Sequence, residues 1–350
     1  MTEKVRPAIV IAALIVVILS VAIAAELLSS ELLLYRYRRE GKVSDGRLLS
    51  VAVLALKAGA KLGLVNEPIP APECAPSPCL KINPVYGWSP LPGAQTYTFK
   101  RLKNGTWERF RVKTTINQDQ SRWAGTDFDP QKPTIYILGD SFVFGYGVND
   151  EQTFAYHVQM AKPNYNVRLF ALGGYSLVQS YLRIQELKSR ITARDIIIVG
   201  YADYYDVRNV AAPSRLRYLE QWFKQHDEKH DGSKIPKASL SGGQISVSLV
   251  EQDCAKWGDY CKQPDPSPTE MAAISTALIR DIAKVPAKTY ILYFEGRRDN
   301  PVLTNSGVPV ISALSEDFDS FTRDDVEGFD PHPGPYWHYA IGQKAIEGIR

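Results

Sequence analysis

The chain has 350 residues and a formal net charge of +3, and 45% of its residues are hydrophobic and 23% charged. This length allows one sizeable core with attached segments, and the composition is that of a globular protein. The positive charge is spread along the chain without a basic stripe, so no nucleic-acid partner is expected. The sequence contains no metal-ligand cluster, phosphate-binding loop or cofactor motif, so we expect no metal and no cofactor.

An apolar run near the N-terminus, Pro7 to Ala25, has 19 residues without a charge. At 1.5 Å per residue it nearly spans the hydrocarbon core of a bilayer, which predicts a transmembrane helix or signal anchor within residues 1–28. Residues 22–24 also fit a signal-peptide cleavage site, so removal of this segment is the alternative. Apolar sequence continues past that site and favours retention.

The four cysteines form two close pairs, Cys74 with Cys79 and Cys254 with Cys261. No histidine lies near either pair, and the spacing favours two short-loop disulfides, which persist in oxidising compartments. Counting the basic residues on either side of the apolar run would place the main domain in the cytosol. Long domains, however, are translocated with little regard to charge. We therefore expect a single-pass inner-membrane protein whose main domain lies in the periplasm.

The chain divides into an N-terminal part and a larger α/β part. Residues 29–83 are predicted to form an amphipathic helix and a Pro-rich linker. Residues 84–129 are predicted to form a small β segment, because Asn104-Gly105 between alternating runs is a strong hairpin signal. Three tryptophans of this segment, Trp88, Trp107 and Trp123, fit a small core or a glycan-binding surface.

Residues 130–350 alternate between strand and helix patterns. Strands are predicted at 134–138, 167–172, 195–200, 289–294 and, more weakly, 308–311. Helices are predicted at about 151–161, 176–191, 268–284 and 336–349. This alternation favours a parallel sheet with helices on both faces. An insertion at about 213–265 contains a predicted hairpin at Ser241-Gly242-Gly243 and the second cysteine pair.

The first strand of this part runs into Gly139-Asp140-Ser141. Functional groups of an open parallel sheet lie beyond the carboxyl ends of its strands, so Ser141 is placed at that edge. A serine nucleophile needs a base and an orienting carboxylate. His332 follows Asp330 by two residues in a stiff, proline-rich loop before the last helix and fits that role, with a helix-capping loop as the alternative.

The other four histidines fit structural or solvated positions. His157 falls within a helical pattern, and His226 and His230 belong to a charged, solvated helix. His338 falls inside the last helix, where a packed histidine is expected.

These two motifs, in this order at opposite ends of an α/β domain, resemble the GDSL/SGNH hydrolase family over roughly residues 130–350. The resemblance implies a flavodoxin-like three-layer α/β/α fold with a parallel sheet. It implies that Ser141 is the nucleophile, His332 the base and Asp330 the group that orients it. The backbone N–H groups of Ser141 and of Gly174 are implied as oxyanion donors, with Gly173 as a competitor for the second.

The sequence departs from the family after the third strand. Ala202 stands where the family has an asparagine that donates to the oxyanion, and losing one such donor costs about 100- to 1,000-fold in rate. Asn209, seven residues further on, is our candidate for the third donor, with a solvated loop amide as the alternative. Arg208 fits either an anion-binding role or a surface salt bridge.

The resemblance implies a serine hydrolase that cleaves carboxylic esters through an acyl-enzyme at Ser141, and the apolar N-terminal run predicts that it is membrane-anchored. The expected substrates are O-acyl groups, such as acetyl, on cell-envelope carbohydrate, and Asp140 is expected to order the turn. One alternative is an O-acyltransferase with the same triad. Another is a non-catalytic carbohydrate-binding envelope protein, which Ala202 favours. The acyl group and the oligomeric state do not follow from the sequence.

Overall fold

A computed structural model describes residues 73–349 except 104–105, 227–233, 253, 258, 295–298 and 314–331. The chain divides into two units, Met1–Pro68 and Ile69–Arg350, and every described residue lies in the second. The predicted membrane helix and the amphipathic helix that follows it lie outside the described residues. Within the described part, no helix has the length and apolar character needed to cross a membrane.

Five strands form a parallel sheet at the centre of the described unit. They are β6 (Thr134–Gly139), β7 (Asn166–Ala171), β8 (Ile196–Tyr201), β11 (Lys288–Tyr293) and β12 (Val310–Ser312). The spatial order β7-β6-β8-β11-β12 is the flavodoxin-like order 2-1-3-4-5. Every residue of β6 and β8 is buried, as expected for central strands that are covered on both faces.

Eight α-helices lie in the described part. They are α1 (Ser141–Phe144), α2 (Phe154–Ala161), α3 (Leu177–Leu187), α4 (Tyr205–Asn209), α5 (Pro213–His226), α6 (Pro268–Ile282), α7 (Pro301–Ser306) and α8 (Pro335–Gly348). Helices α2 and α8 pack together, while α6 packs against α3, α4 and α7. The predicted α/β class with a parallel sheet is confirmed, and its five strands match the predicted ones within two residues.

The β segment before this sheet starts earlier than predicted. It contains β1 (Glu73–Ala75), β2 (Leu80–Asn83), β3 (Gly87–Pro90), β4 (Gly93–Lys103) and β5 (Thr106–Ile116). Strand β1 pairs with β4 and β2 pairs with β3, so the chain from residue 73 is folded where a linker was expected. The predicted hairpin is confirmed by the pairing of β4 with β5, although its two turn residues lie outside the described residues.

The insertion forms a hairpin of β9 (Lys234–Ser241) and β10 (Gln244–Glu251), as predicted. Its two turn residues, Gly242 and Gly243, both have positive φ, a conformation that glycine adopts readily and most other residues rarely adopt. Both predicted cysteine pairs are joined in the structure, Cys74 to Cys79 and Cys254 to Cys261.

Candidate active site

Ser141 begins helix α1 directly beyond the carboxyl end of β6. A Cβ on Gly139 would lie 2.3 Å from Val143 Cγ2, so the strand passes into the helix at a turn with no room for a side chain. Strand β6 lies between β7 and β8 in the sheet. The chain continues from β6 to β7 at one edge of the sheet, and from β8 to β11 in the direction of the other edge. The switch point of such a sheet is the usual place for a ligand, and Ser141 lies there.

Asp140 holds this turn in shape. Its carboxylate is fully buried and accepts hydrogen bonds from Phe142 N at 3.0 Å, from the Tyr204 hydroxyl at 2.6 Å and from Arg208 Nη1 at 3.1 Å. The Tyr205 hydroxyl accepts from Asp140 N at 2.9 Å, and burial raises the pKa of Tyr205 well above its ordinary value. Asp140 is therefore engaged in ordering the turn, as the sequence indicated.

The Gly173-Gly174 turn after β7 lies beside Ser141. A Cβ on Gly173 would lie 4.0 Å from Ser141 Cβ. Gly174 has a φ of +80°, and a Cβ there would lie 3.0 Å from Trp88 Cζ2, so both backbone angle and space require glycine. Among the described residues, the N–H groups of Ser141 and Gly174 have no acceptor. The two predicted backbone donors thus lie on neighbouring turns.

Trp88 fixes the orientation of the Gly173–Gly174 peptide. Its indole Nε1 donates to the carbonyl oxygen of Gly173 at 3.1 Å. In a planar trans peptide the N–H of Gly174 points away from that carbonyl. Trp88 therefore sets the direction of a candidate oxyanion donor, a role that sequence reasoning missed, because the two partners are 85 residues apart.

His332 lies against the aromatic side chains around Ser141. The centre of its imidazole ring is 5.1 Å from that of Phe142 and 5.3 Å from that of Tyr146. Phe142 follows Ser141 directly, and Tyr146 N donates to the carbonyl oxygen of Ser141 at 3.1 Å. The structure thus brings the predicted base to the predicted nucleophile's turn, whereas Asp330 lies outside the described residues.

His338 is packed inside the protein, as predicted. It is fully buried, stacks on Phe154 and accepts a hydrogen bond at Nδ1 from Phe154 N at 3.2 Å. Burial lowers the pKa of His338 to about 3, so the imidazole is neutral at physiological pH.

Asn209 is placed differently from the sequence expectation. It is fully buried, and its Nδ2 donates to Ser275 Oγ at 2.8 Å between α4 and α6. Ser275 donates onward to Asp206, whose carboxylate also accepts from the Tyr201 hydroxyl at 3.0 Å. Burial raises the pKa of Asp206 to about 6. The Asn209 amide is used in this helix interface, which argues against the predicted oxyanion role and against a solvated amide.

Arg208 forms a salt bridge, but its partner is the fully buried Asp140, so the predicted surface salt bridge is not what the structure shows. Nη1 pairs with Asp140 and also donates to the carbonyl oxygen of Tyr175 at 3.1 Å, and the guanidinium lies 4.4 Å from the centre of the Tyr204 ring. Because Asp140 precedes Ser141 and Tyr175 follows Gly174, Arg208 joins the two turns that carry the candidate oxyanion donors.

Arg122 is a second residue that sequence reasoning missed. Its side chain is fully buried and pairs with Asp150 at 2.9 Å. It also donates to the carbonyl oxygens of Phe144, Gly145 and Val148 at 2.7 to 2.8 Å. Arg122 therefore fixes the segment between α1 and α2. No pattern in the sequence indicates this role, because Arg122 is a single arginine that follows a β hairpin.

Comparisons with known proteins gave matches among solved structures only. No family model matches the chain, and no curated protein matches it. A lipolytic protein of the G-D-S-L family from Veillonella parvula is 12% identical, with a TM-score of 0.34, over 62% of this chain and 97% of that one.

Two esterases give similar values. The esterase EstA from Pseudoalteromonas sp. is 13% identical, with a TM-score of 0.35, over 62% of this chain and 97% of that one. A catalytic mutant of Axe2, an acetylxylan esterase from Geobacillus stearothermophilus, is 10% identical, with a TM-score of 0.35, over 62% of this chain and 94% of that one. The expected resemblance to GDSL/SGNH proteins is thus found among solved structures, at identities too low to transfer an activity or a residue's role.

Proposed function

We propose that this protein is a serine hydrolase that cleaves carboxylic esters through an acyl-enzyme at Ser141. The observation that supports it most is the meeting of three sequence-distant groups at the switch point of the sheet. Ser141 lies beyond β6, the Gly173-Gly174 turn lies beside it, and the imidazole of His332 packs against Phe142. A nucleophile, backbone donors and a base are the parts that acyl transfer requires.

In the proposed mechanism, His332 accepts the proton of the Ser141 hydroxyl as its oxygen attacks the acyl carbonyl carbon. The oxyanion is stabilised by the N–H groups of Ser141 and Gly174, and Asp330 orients the imidazole. Collapse of the tetrahedral intermediate expels the alcohol, which takes its proton from His332. A water molecule then attacks the acyl-enzyme by the same route and releases the carboxylic acid.

We further propose that the substrates are O-acylated, for example O-acetylated, carbohydrates of the cell envelope. On this view the domain lies in the periplasm and residues 7–25 anchor it in the inner membrane. The two disulfides of the described part support an oxidising compartment. The choice of carbohydrate follows from that location and from the resemblance to the family.

A fluorophosphonate probe tests the nucleophile. We expect the intact protein to be labelled on Ser141 and to hydrolyse aryl acetates, and expect Ser141→Ala to lose both. Ser248→Ala, an exposed position on β10, is the matched control and should behave as wild type. Labelling that survives Ser141→Ala and disappears with another serine would refute the assignment. Adding a sugar acceptor and analysing the products by mass spectrometry distinguishes transfer from hydrolysis.

A second candidate function is non-catalytic binding of carbohydrate. It is favoured by Ala202, which is buried and offers no side-chain donor, and by the use of the Asn209 amide in the α4–α6 interface. Under this alternative the probe leaves Ser141 unlabelled, while isothermal titration with an acetylated oligosaccharide gives a binding signal that Ser141→Ala does not change.

A further inference from the structure

A second cationic group lies beside the candidate oxyanion site. Arg215, in the first turn of α5, places Nη2 3.4 Å from the position that a Cβ on Gly174 would occupy. Gly174 itself belongs to the turn that lies next to Ser141. A group that binds Arg215 would therefore sit close to an ester carbonyl held at Ser141.

The guanidinium of Arg215 has no acceptor in the described part of the chain. No carboxylate or carbonyl oxygen there takes a hydrogen bond from it, and its one described side-chain partner is the ring of Tyr218, with Cζ 5.3 Å from the ring centre. Tyr218 is exposed and Arg215 is itself partly exposed. Partial burial of a guanidinium that has no hydrogen-bond acceptor costs free energy, and a bound anion would offset that cost.

Among the described residues, the negative charge of Asp140 only partly compensates this cation. Burial, followed by the charge of Arg208, lowers the pKa of Arg215 to about 9, so Arg215 is still positively charged at neutral pH. Asp140 is the carboxylate of the two turns, and its oxygens already accept from Phe142, Tyr204 and Arg208. The rim of the site beside Gly174 therefore carries an excess positive charge.

We propose that Arg215 binds an anionic group of the substrate, so that the ester cleaved at Ser141 is carried by an acidic sugar such as a uronate. The planar fork of a guanidinium matches a carboxylate or a phosphate through two parallel hydrogen bonds. The proposal rests on the proposed hydrolase function and adds the charge of the substrate to it.

A pair of substrates that differ in one charge tests the proposal. The probes are an O-acetylated methyl glycoside of galacturonic acid and the corresponding galacturonamide, with acetate release as the readout. We expect kcat/KM of the wild type to favour the uronate by about 10- to 100-fold, the range for a charge-assisted hydrogen bond. Arg215→Gln should remove this preference by lowering kcat/KM for the uronate, with a much smaller effect on the galacturonamide.

Arg217→Gln is the matched control, because it removes the same charge from the same helix. Arg217 is exposed and donates to the carbonyl oxygen of Cys261, away from the two turns. It should retain the preference for the uronate. The proposal would be overturned if the wild type had equal kcat/KM for the uronate and the galacturonamide. It would also be overturned if Arg215→Gln lost kcat equally on the two substrates, because that result would assign Arg215 to the oxyanion site.

A binding measurement separates this proposal from the proposed hydrolase function. Isothermal titration of Ser141→Ala with galacturonate, glucose 6-phosphate and galactose requires no turnover. Binding of either anion that Arg215→Gln abolishes supports the anion site even if no ester is hydrolysed, and the two anions distinguish carboxylate from phosphate. Turnover of aryl acetates with no anion bound supports the hydrolase and refutes the anion site.

Discussion

The indole of Trp88 acts on the candidate site through a peptide group. Its hydrogen bond to Gly173 orients the N–H of Gly174, and its ring fills the space that a side chain at position 174 would need. Trp88 is thus a positioning residue, and its effect should appear in the rate of the chemical step.

Trp88→Phe tests this role, because phenylalanine retains an aromatic ring and lacks the indole donor. We expect kcat on an aryl acetate to fall about tenfold with little change in KM, since an oxyanion donor acts mainly in the transition state. Trp123→Phe is the control, because Trp123 packs on Tyr156 with ring centres 6.2 Å apart. A rise in KM at unchanged kcat would instead assign Trp88 to substrate binding.

The buried imidazole of His338 makes stability depend on pH. Its pKa in the folded state is about 3, below the ordinary value of 6.5. Between these two values the unfolded chain binds more protons than the folded one, so stability falls as pH falls from about 6.5 toward 3. The slope from this group is at most about 1.4 kcal/mol per pH unit.

His338→Asn should reduce that slope, because asparagine does not titrate and its Oδ1 can accept the hydrogen bond from Phe154 N in place of Nδ1. The measurement is urea unfolding of both proteins at several pH values between 7 and 4. Identical slopes in the two proteins would show that another group causes the acid sensitivity.

At the scale of elements, Arg122 connects three parts of the fold. Its backbone N donates to Leu169 O on β7 at 2.8 Å, which places the chain after β5 beside the edge of the parallel sheet. Its side chain holds the segment between α1 and α2 through Asp150 and three carbonyl oxygens. The β segment and the Ser141 turn are therefore held together by one buried guanidinium.

Arg122→Met should lower the free energy of unfolding by about 3–5 kcal/mol, because it leaves the charge of Asp150 buried and unpaired. Arg109→Met removes an exposed ion pair with Glu73 and should cost less than about 1 kcal/mol. Urea unfolding measures both. If the two variants lose equal stability, the buried network does not have the role described, whereas partial recovery in Arg122→Met with Asp150→Asn supports it.

At the scale of the whole molecule, residues Ile69–Arg350 form one compact unit that contains the parallel sheet, the β segment and both disulfides. We expect this part, produced without residues 1–68 in an oxidising compartment, to unfold in one cooperative transition. Mass mapping without reduction should find Cys74 linked to Cys79 and Cys254 to Cys261. Four free thiols, or a broad transition without cooperativity, would contradict the prediction.

The sequence by itself determined the features that depend on local pattern and chain order. Buried strands such as β6 and β8 are largely apolar runs rich in β-branched residues, and helices of eight or more residues have a detectable periodicity. The shorter helices α1, α4 and α7 were not predicted, because four to six residues are too few for such a pattern. The place of Ser141 at the sheet edge follows because every parallel strand ends at the same side. Cysteine pairing followed from short spacing.

Only the tertiary structure decided which side chains act together at that edge. Asn209 is only seven residues from Ala202, where the family has its oxyanion asparagine, but in α4 its amide donates to Ser275, 66 residues away in the chain. The hydrogen bond of Trp88 to Gly173 and the position of Arg215 beside Gly174 likewise join segments that no local pattern relates. The physical reason is that periodicity reports which face of an element is buried, whereas the partner of a polar group depends on how distant elements pack.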